Sequence, residues 1–171
     1  MQAPGRVRPQ SPCALKVVVL GGGRAAGLAR VEDRFVDLVS DVDSSGSMLR
    51  YGQCGFSDRL AVHLYGMPPQ QRYWFMWDAL SAGAVAALVL ADASRLGDCY
   101  PALDYVAARG LPHLVAVTGA QRYQLAEVRQ ALAVGAEVPV LLTESDRPRP
   151  AREVLHALVR YAIARRNSTA A

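Results

Sequence analysis

Apolar residues fall into two kinds of pattern along the chain, unbroken runs and helical stripes, and the two kinds alternate. Leu15, Val17, Val18, Val19 and Leu20 form a largely β-branched run with little alternation, as expected of a parallel strand covered on both faces. Leu28, Val31, Phe35 and Leu38 follow at spacings of three, four and three, which sets them on one stripe of a helix. Met48 to Cys54 and Arg59 to Tyr65 alternate enough to predict an antiparallel pair turning near Gly55 to Asp58. A helix rich in aromatic residues runs through Tyr73 to Ser81, and Val85 to Ala91 is a continuous apolar run that suits a central strand.

The second half repeats the scheme. Arg95 to Arg109 predicts a helix beginning near Asp98, with Pro101 tolerated in its first turn, Leu103, Val106 and Ala107 inward, and Gly110 and Pro112 stopping it. His113 to Thr118 is the next strand, Gln124 to Ala133 an amphipathic helix with Leu125, Val128 and Leu132 inward, and Val138 to Leu142 a last strand whose Pro139 marks an edge or a start. Ala151 to Arg165 closes the chain as a helix with Val154, Leu155, Leu158, Val159, Ala162 and Ile163 on one stripe. The order predicts a three-layer α/β fold: a mostly parallel sheet of about six strands, helices on both faces, and the antiparallel second strand at or near an edge.

At 171 residues and 51% hydrophobic content, one domain is expected, over residues 14–166, between a disordered tail at 1–13 and a frayed end at 167–171. The net charge is +4, but Lys16 is the only lysine and the arginines are scattered, which points to a GC-rich bacterial genome more than to nucleic acid. Cys13, Cys54 and Cys99 are widely spaced and odd in number, indicating neither disulfides nor zinc and fitting a reducing cytoplasm. The first twelve residues lack the apolar segment of a secretory signal, and Ala84 to Ala91 falls far short of the ~20 residues that span a bilayer. A soluble cytoplasmic protein is expected, with any membrane recruitment supplied by a partner. His63 has no His or Cys at ligand spacing and reads as a packed or sheet-surface residue.

Strand, glycine-rich turn and helix at 15–39 supply the context of a Walker A loop, G-x-x-x-x-G-K-[ST], in which backbone N–H groups, a lysine and a hydroxyl hold phosphates and magnesium. Counted from Gly21, the second glycine, lysine and hydroxyl positions hold Ala26, Gly27 and Leu28. Counted from Gly22, Gly27 is the second glycine, but Leu28 and Ala29 stand for lysine and hydroxyl. Gly23, Arg24 and Ala25 complete the loop, and the Arg24 fork on the turn is not a lysine aimed back from the helix. The polar loop Ser40 to Ser47 reads as a flexible connection.

Gly66 to Leu80, GMPPQQRYWFMWDAL, carries a more specific signal. With the preceding order of elements, its Gln-Gln-Arg-Tyr-Trp-Phe-Met-Trp string resembles the small GTPase-like proteins of actinobacterial conservon operons, the CvnD type, relatives of Ras-like and gliding-motility GTPases; the similarity spans Leu15 to Arg166. The resemblance implies a P-loop small-GTPase-like fold with degenerate motifs. In the family pattern a glycine of the loop Gly66, Met67, Pro68, Pro69, Gln70 offers its N–H to the γ-phosphate, and here that glycine is Pro69, which has none. Gln70 matches the residue that orients attacking water. Thr118, Gly119, Ala120 and Gln121 occupy the N/T-K-x-D positions, with an amide where a carboxylate would read guanine. Asp92, acidic in family members too, has a loop or cap role as its default.

The degenerate positions together imply a pseudo-GTPase: no catalytic residue, no metal, no cofactor, and a protein-binding role. By resemblance the partners are a roadblock/LC7-type protein and a membrane sensor-kinase-like protein, in a signalling complex. The resemblance implies docking at the altered switch region, because regulators dock there on related GTPases, and the expected surface comprises Met67, Pro69, Tyr73, Trp74, Phe75 and Trp77. For the last four, the aromatic helix is also apolar over more of its circumference than one buried stripe requires, and Tyr and Trp are favoured anchors. The alternative is an enzyme that binds GTP or ATP with unusual ligands, Arg24, the backbone of Gly21 to Gly23, and Gln70. An unrelated hydrolase has little support, since no G-x-S-x-G elbow is present.

Overall fold

The computed structural model describes residues 13–21, 40–41, 50–67, 71–143 and 151–169. Seven strands form one sheet in the order β2-β3-β4-β1-β5-β6-β7. They are β1 (Cys13–Gly21), β2 (Ser40–Asp41), β3 (Arg50–Ser57), β4 (Leu60–Met67), β5 (Ala86–Asp92), β6 (His113–Thr118) and β7 (Val140–Thr143). Because β2 contributes only two residues, the sheet is in substance the expected six strands. β3 runs antiparallel to both β2 and β4, and every other pairing is parallel. The antiparallel strand therefore lies next to one edge, as its pattern predicted.

Both faces of the central strands are covered, which explains the unbroken run in β1. Val17 and Val19 face one core with Val62, Leu64, Leu88 and Leu114, closed by Leu155, Leu158 and Val159 of the helix α4 (Ala151–Thr169). Val18 and Leu20 face the other, with Met67, Val89 and Val117. That side is closed by α1 (Trp77–Ser81), α2 (Tyr100–Ala108) and α3 (Leu125–Leu132). Residue alternation along a strand sends neighbours to opposite faces, so each face of β1 must carry its own apolar set.

Helix interiors differ from expectation in details. In α2, Leu103 and Val106 are buried as expected, but Ala102 is the third inward residue and Ala107 is exposed. In α3, Val128 and Leu132 are buried, whereas Leu125, the first helical residue, faces solvent. In α4, the stripe ends at Ala162; Ile163 is exposed, and the helix continues to Thr169. The segment before α2 is a 3-10 turn, Ala93–Cys99, interrupted at Arg95 by an extended φ of −147°. The α-helix therefore starts at Tyr100, with Pro101 in the first turn where its missing N–H costs nothing.

The expected first helix with Leu28, Val31, Phe35 and Leu38, and most of the loop 40–47, lie outside the described residues. None of the described helices is long and apolar enough to cross a membrane.

Candidate functional site

In open α/β sheets, ligands bind beyond the carboxyl ends of the strands where the chain reverses its direction of winding. Here that point is β1: its neighbour on one side is β4 and on the other β5. The register brings the strand ends to one rim, pairing Leu20 with Met67, Gly21 with Leu90, and Asp92 with Thr118. Gly21, Gly66, Met67 and Thr118 to Gln121 thus share the rim of one crevice. Gly22, Gly23, Arg24, Ala25, Ala26, Gly27 and Leu28, with Pro68, Pro69 and Gln70, lie outside the described residues.

The rim residues are occupied locally. Thr118 Oγ1 donates to Ala91 O at 3.3 Å. Gly119 has φ +71°, a left-handed conformation that suits glycine. Ala120 is buried in the core and Gln121 is exposed, so the positions expected to read a base carry one exposed neutral amide and no carboxylate. Asp92 accepts from Ser94 N at 2.8 Å and from Ser94 Oγ at 2.6 Å, and so caps the turn that follows β5.

The only lysine is committed elsewhere. Lys16 Nζ donates to Ala82 O at 2.8 Å and lies 4.9 Å from the centroid of the Tyr65 ring. Its Cα is five strand residues from Gly21, about 16 Å at ~3.3 Å per residue, beyond the reach of a lysine stem. Among the described residues no group of three or more His, Cys, Asp or Glu could hold a metal ion. His63 is half-buried on the sheet, its Nδ1 2.7 Å from the hydroxyl of Tyr51, in keeping with a packed histidine.

The aromatic string begins as a 3-10 turn, Gln71–Met76, with no buried residue, and continues into α1. The structure divides the expected docking residues. Trp77 is 4% exposed and Met67 1%; both belong to the core beside Val18 and Leu20, which corrects their assignment to a partner surface. The reason is geometric: a single turn of α helix leans on β1 and β4, and Trp77 is its one fully inward side chain. Tyr73 is half-buried with Arg72 over its ring, while Trp74 at 36% and Phe75 at 78% exposure face outward.

A polar cluster behind this helix escaped sequence reasoning. Tyr105 of α2 has its hydroxyl 2.6 Å from Ser81 Oγ and donates to Asp78 Oδ1 at 3.1 Å. Arg109 pairs with Asp78 and stacks over Tyr105, and the Tyr105 ring meets Trp77 edge-on at 5.1 Å. Burial first, and the hydrogen bond given to Asp78, push the Tyr105 phenol above its ordinary pKa. Spacings of three (Asp78, Ser81) and four (Tyr105, Arg109) signalled one face each, but which face meets which is set only by the tertiary fold.

No family model matches the chain. An uncharacterized protein of Methanocaldococcus jannaschii is 31% identical over 83 residues, 47% of this chain and 53% of that one, so the chain spans about half the length of that curated relative. Among solved structures, the G domain of the T. maritima FeoB iron transporter superposes with TM-score 0.66 over 88% of this chain and 99% of its own, at 18% identity. The FeoB G domain from Methanococcus jannaschii gives 0.65 over 87% and 98%, at 10% identity.

This chain has a GTPase-like fold, that of the FeoB G domains. At such identities the likeness is one of fold. The chain covers 64% of the T. maritima FeoB cytosolic domain in its apo form. In the GTPase fold a separate cleft of about 620 Å³ opens beside α2, α3 and α4, lined by residues such as Asp104, His113 and Arg165. His113 begins β6, so this cleft lies at the end of the sheet opposite the rim.

Proposed function

We propose that this protein is a pseudo-GTPase, a protein-binding signalling module of the conservon (CvnD) type that neither hydrolyses GTP nor binds it appreciably. The observation that carries the reading is the engagement of Lys16. A phosphate loop needs a concentrated cation reaching the terminal phosphates, and the one ammonium of this chain is hydrogen-bonded to Ala82 O, five residues below the rim. Gln121 supports the same conclusion for the base, since an amide meets guanine's two donors with one acceptor oxygen and one NH2 donor, where a carboxylate has two acceptor oxygens.

In this reading the outward aromatics of 71–76 are the docking anchors, led by Phe75 and Trp74, for a roadblock/LC7-type partner that links the module to a membrane sensor-kinase-like protein. Calorimetry of the folded protein with GTP, GDP and ATP, with and without magnesium, tests the first part: no heat at millimolar ligand is expected, and micromolar, magnesium-dependent binding overturns it. Co-purification with a co-expressed roadblock/LC7-type protein, lost in Phe75→Ala and Trp74→Ala, tests the second.

A second reading keeps nucleotide binding with unusual ligands. It is favoured by the winding reversal at β1 and by the GDP forms in which the similarly folded T. maritima FeoB cytosolic domain was solved. It places Arg24 and the backbone of Gly21 to Gly23 on the phosphates and predicts the calorimetric signal that the first reading forbids.

A further inference from the structure

The aromatic helix is too short to hold itself. A 3-10 turn of six residues with no buried side chain leads into five residues of α helix, while isolated helices shorter than about 12 residues are marginal in water. Its position therefore depends on tertiary bonds, and two of them converge on its C-terminal end from different elements. From β1, Lys16 Nζ donates to Ala82 O at 2.8 Å, a cation set against the carbonyl end of a helix. From α2, Tyr105 reaches Ser81 and Asp78.

We infer that Lys16 and Tyr105 are positioning residues that clamp Gln71–Ser81 to the body of the domain and display Trp74 and Phe75 in one fixed place whatever the state of the crevice. The inference rests on the proposed reading, in which those aromatics are the docking anchors.

Proton counting supports a directed chain at the Tyr105 end. The phenol has one proton and gives it to the Asp78 carboxylate, which can only accept. Ser81 then donates to the Tyr105 oxygen at 2.6 Å in preference to its longer contact, 3.3 Å, with Asp78 O. Every member is satisfied, as a half-buried polar network requires. The Asp78–Arg109 ion pair contributes less, because its side chains are 68% and 42% exposed and water screens them. Arg109 acts more through its stacking on the Tyr105 ring, at 4.6 Å. At the Lys16 end, the ammonium lies over the Tyr65 ring and is fixed by the Ala82 carbonyl, so a cation on β1 holds the end of the helix.

Hydrogen exchange read by mass spectrometry on the whole chain tests the clamp. Tyr105→Phe keeps the ring and removes the hydroxyl; Lys16→Met keeps the stem and removes the ammonium. Each is expected to speed exchange of the amides in 71–81 about tenfold, with the β5 and β6 amides unchanged and slow exchange restored by Lys16→Arg. Unchanged exchange in the double variant, or an acceleration spread evenly over the sheet, overturns the clamp and leaves the proposed function standing. Nucleotide binding detected by calorimetry with the clamp response intact has the opposite meaning, overturning the pseudo-GTPase reading alone.

Discussion

Trp77→Ala and Phe75→Ala separate the two roles that the aromatic string combines. Trp77 is 4% exposed, in one core cluster with Val18, Leu20 and Met67, with Trp74 at 5.4 Å and Tyr105 at 5.1 Å between ring centroids. A Trp side chain buries roughly 200 Å², worth ~5 kcal/mol at ~25 cal/mol per Å². Partial collapse of the cavity and the methyl that remains bring the expected cost of Trp77→Ala to about 4 kcal/mol. Phe75 is 78% exposed, so only about a fifth of it is buried, and Phe75→Ala should cost less than ~1 kcal/mol. With a urea slope of ~2 kcal/mol per M, the midpoint should fall by about 2 M in the first variant and by less than ~0.5 M in the second. Far-UV circular dichroism is the suitable probe, because removing Trp77 takes away one of the two tryptophans and changes the fluorescence signal itself. A Trp77→Ala midpoint within ~0.5 M of wild type, or a larger loss in Phe75→Ala, would refute the division between core and surface.

Two further variants probe the rim and the buried thiol. Gly119 has φ +71°, so Gly119→Ala should cost about 1 kcal/mol of strain and lower Tm by ~2–4 °C in a thermal melt, although a Cβ there would meet Asp92 Oδ1 only at an ordinary 3.6 Å. Cys99 is fully buried, and burial pushes its thiol up to about 11. At pH 8, iodoacetamide should therefore label exposed Cys13 in the native protein and spare Cys99 until denaturant is added. The unfolded thiol ionises first, so stability linked to Cys99 is fully present below pH 9 and is lost at up to ~1.4 kcal/mol per pH unit between 9 and 11. Denaturation at several pH values checks the sign; Cys99→Ser should remove the slope between pH 9 and 10, below the range in which the raised Tyr51 and Tyr105 phenols add their own.

How much was legible can be judged residue by residue. Strand identities were legible because double-sided burial leaves a local trace: no polar residue is tolerated on either face of Val17 to Leu20, and the same holds for Ala86 to Leu90. Helix stripes were legible in the middle and failed at the ends. Leu125 precedes the point where α3 meets the sheet, and Ile163 follows the point where α4 leaves it, so the periodicity continued past the contact that gives it meaning. Trp77 and Phe75 lie two positions apart in one aromatic string, and composition gave no means of telling which supports the core.

The same limit applies with more consequence to Lys16. From sequence, the missing lysine of the phosphate loop and the single lysine on β1 are unrelated facts, and Lys16 is far along the chain from Tyr65 and Ala82, which it touches. The fold connects the second to Ala82 across 66 residues, at the end of the very helix whose display the proposed function needs. A hydrogen bond between a strand and a helix terminus has no periodicity, and neither partner is unusual alone. What makes it informative is scarcity: the chain's only lysine sits on β1, about 16 Å from Gly21 at ~3.3 Å per residue, so no lysine reaches the phosphate site. The placement of Lys16 supports the aromatic surface, while the loss of phosphate chemistry is written separately, in Leu28, Ala29 and Pro69.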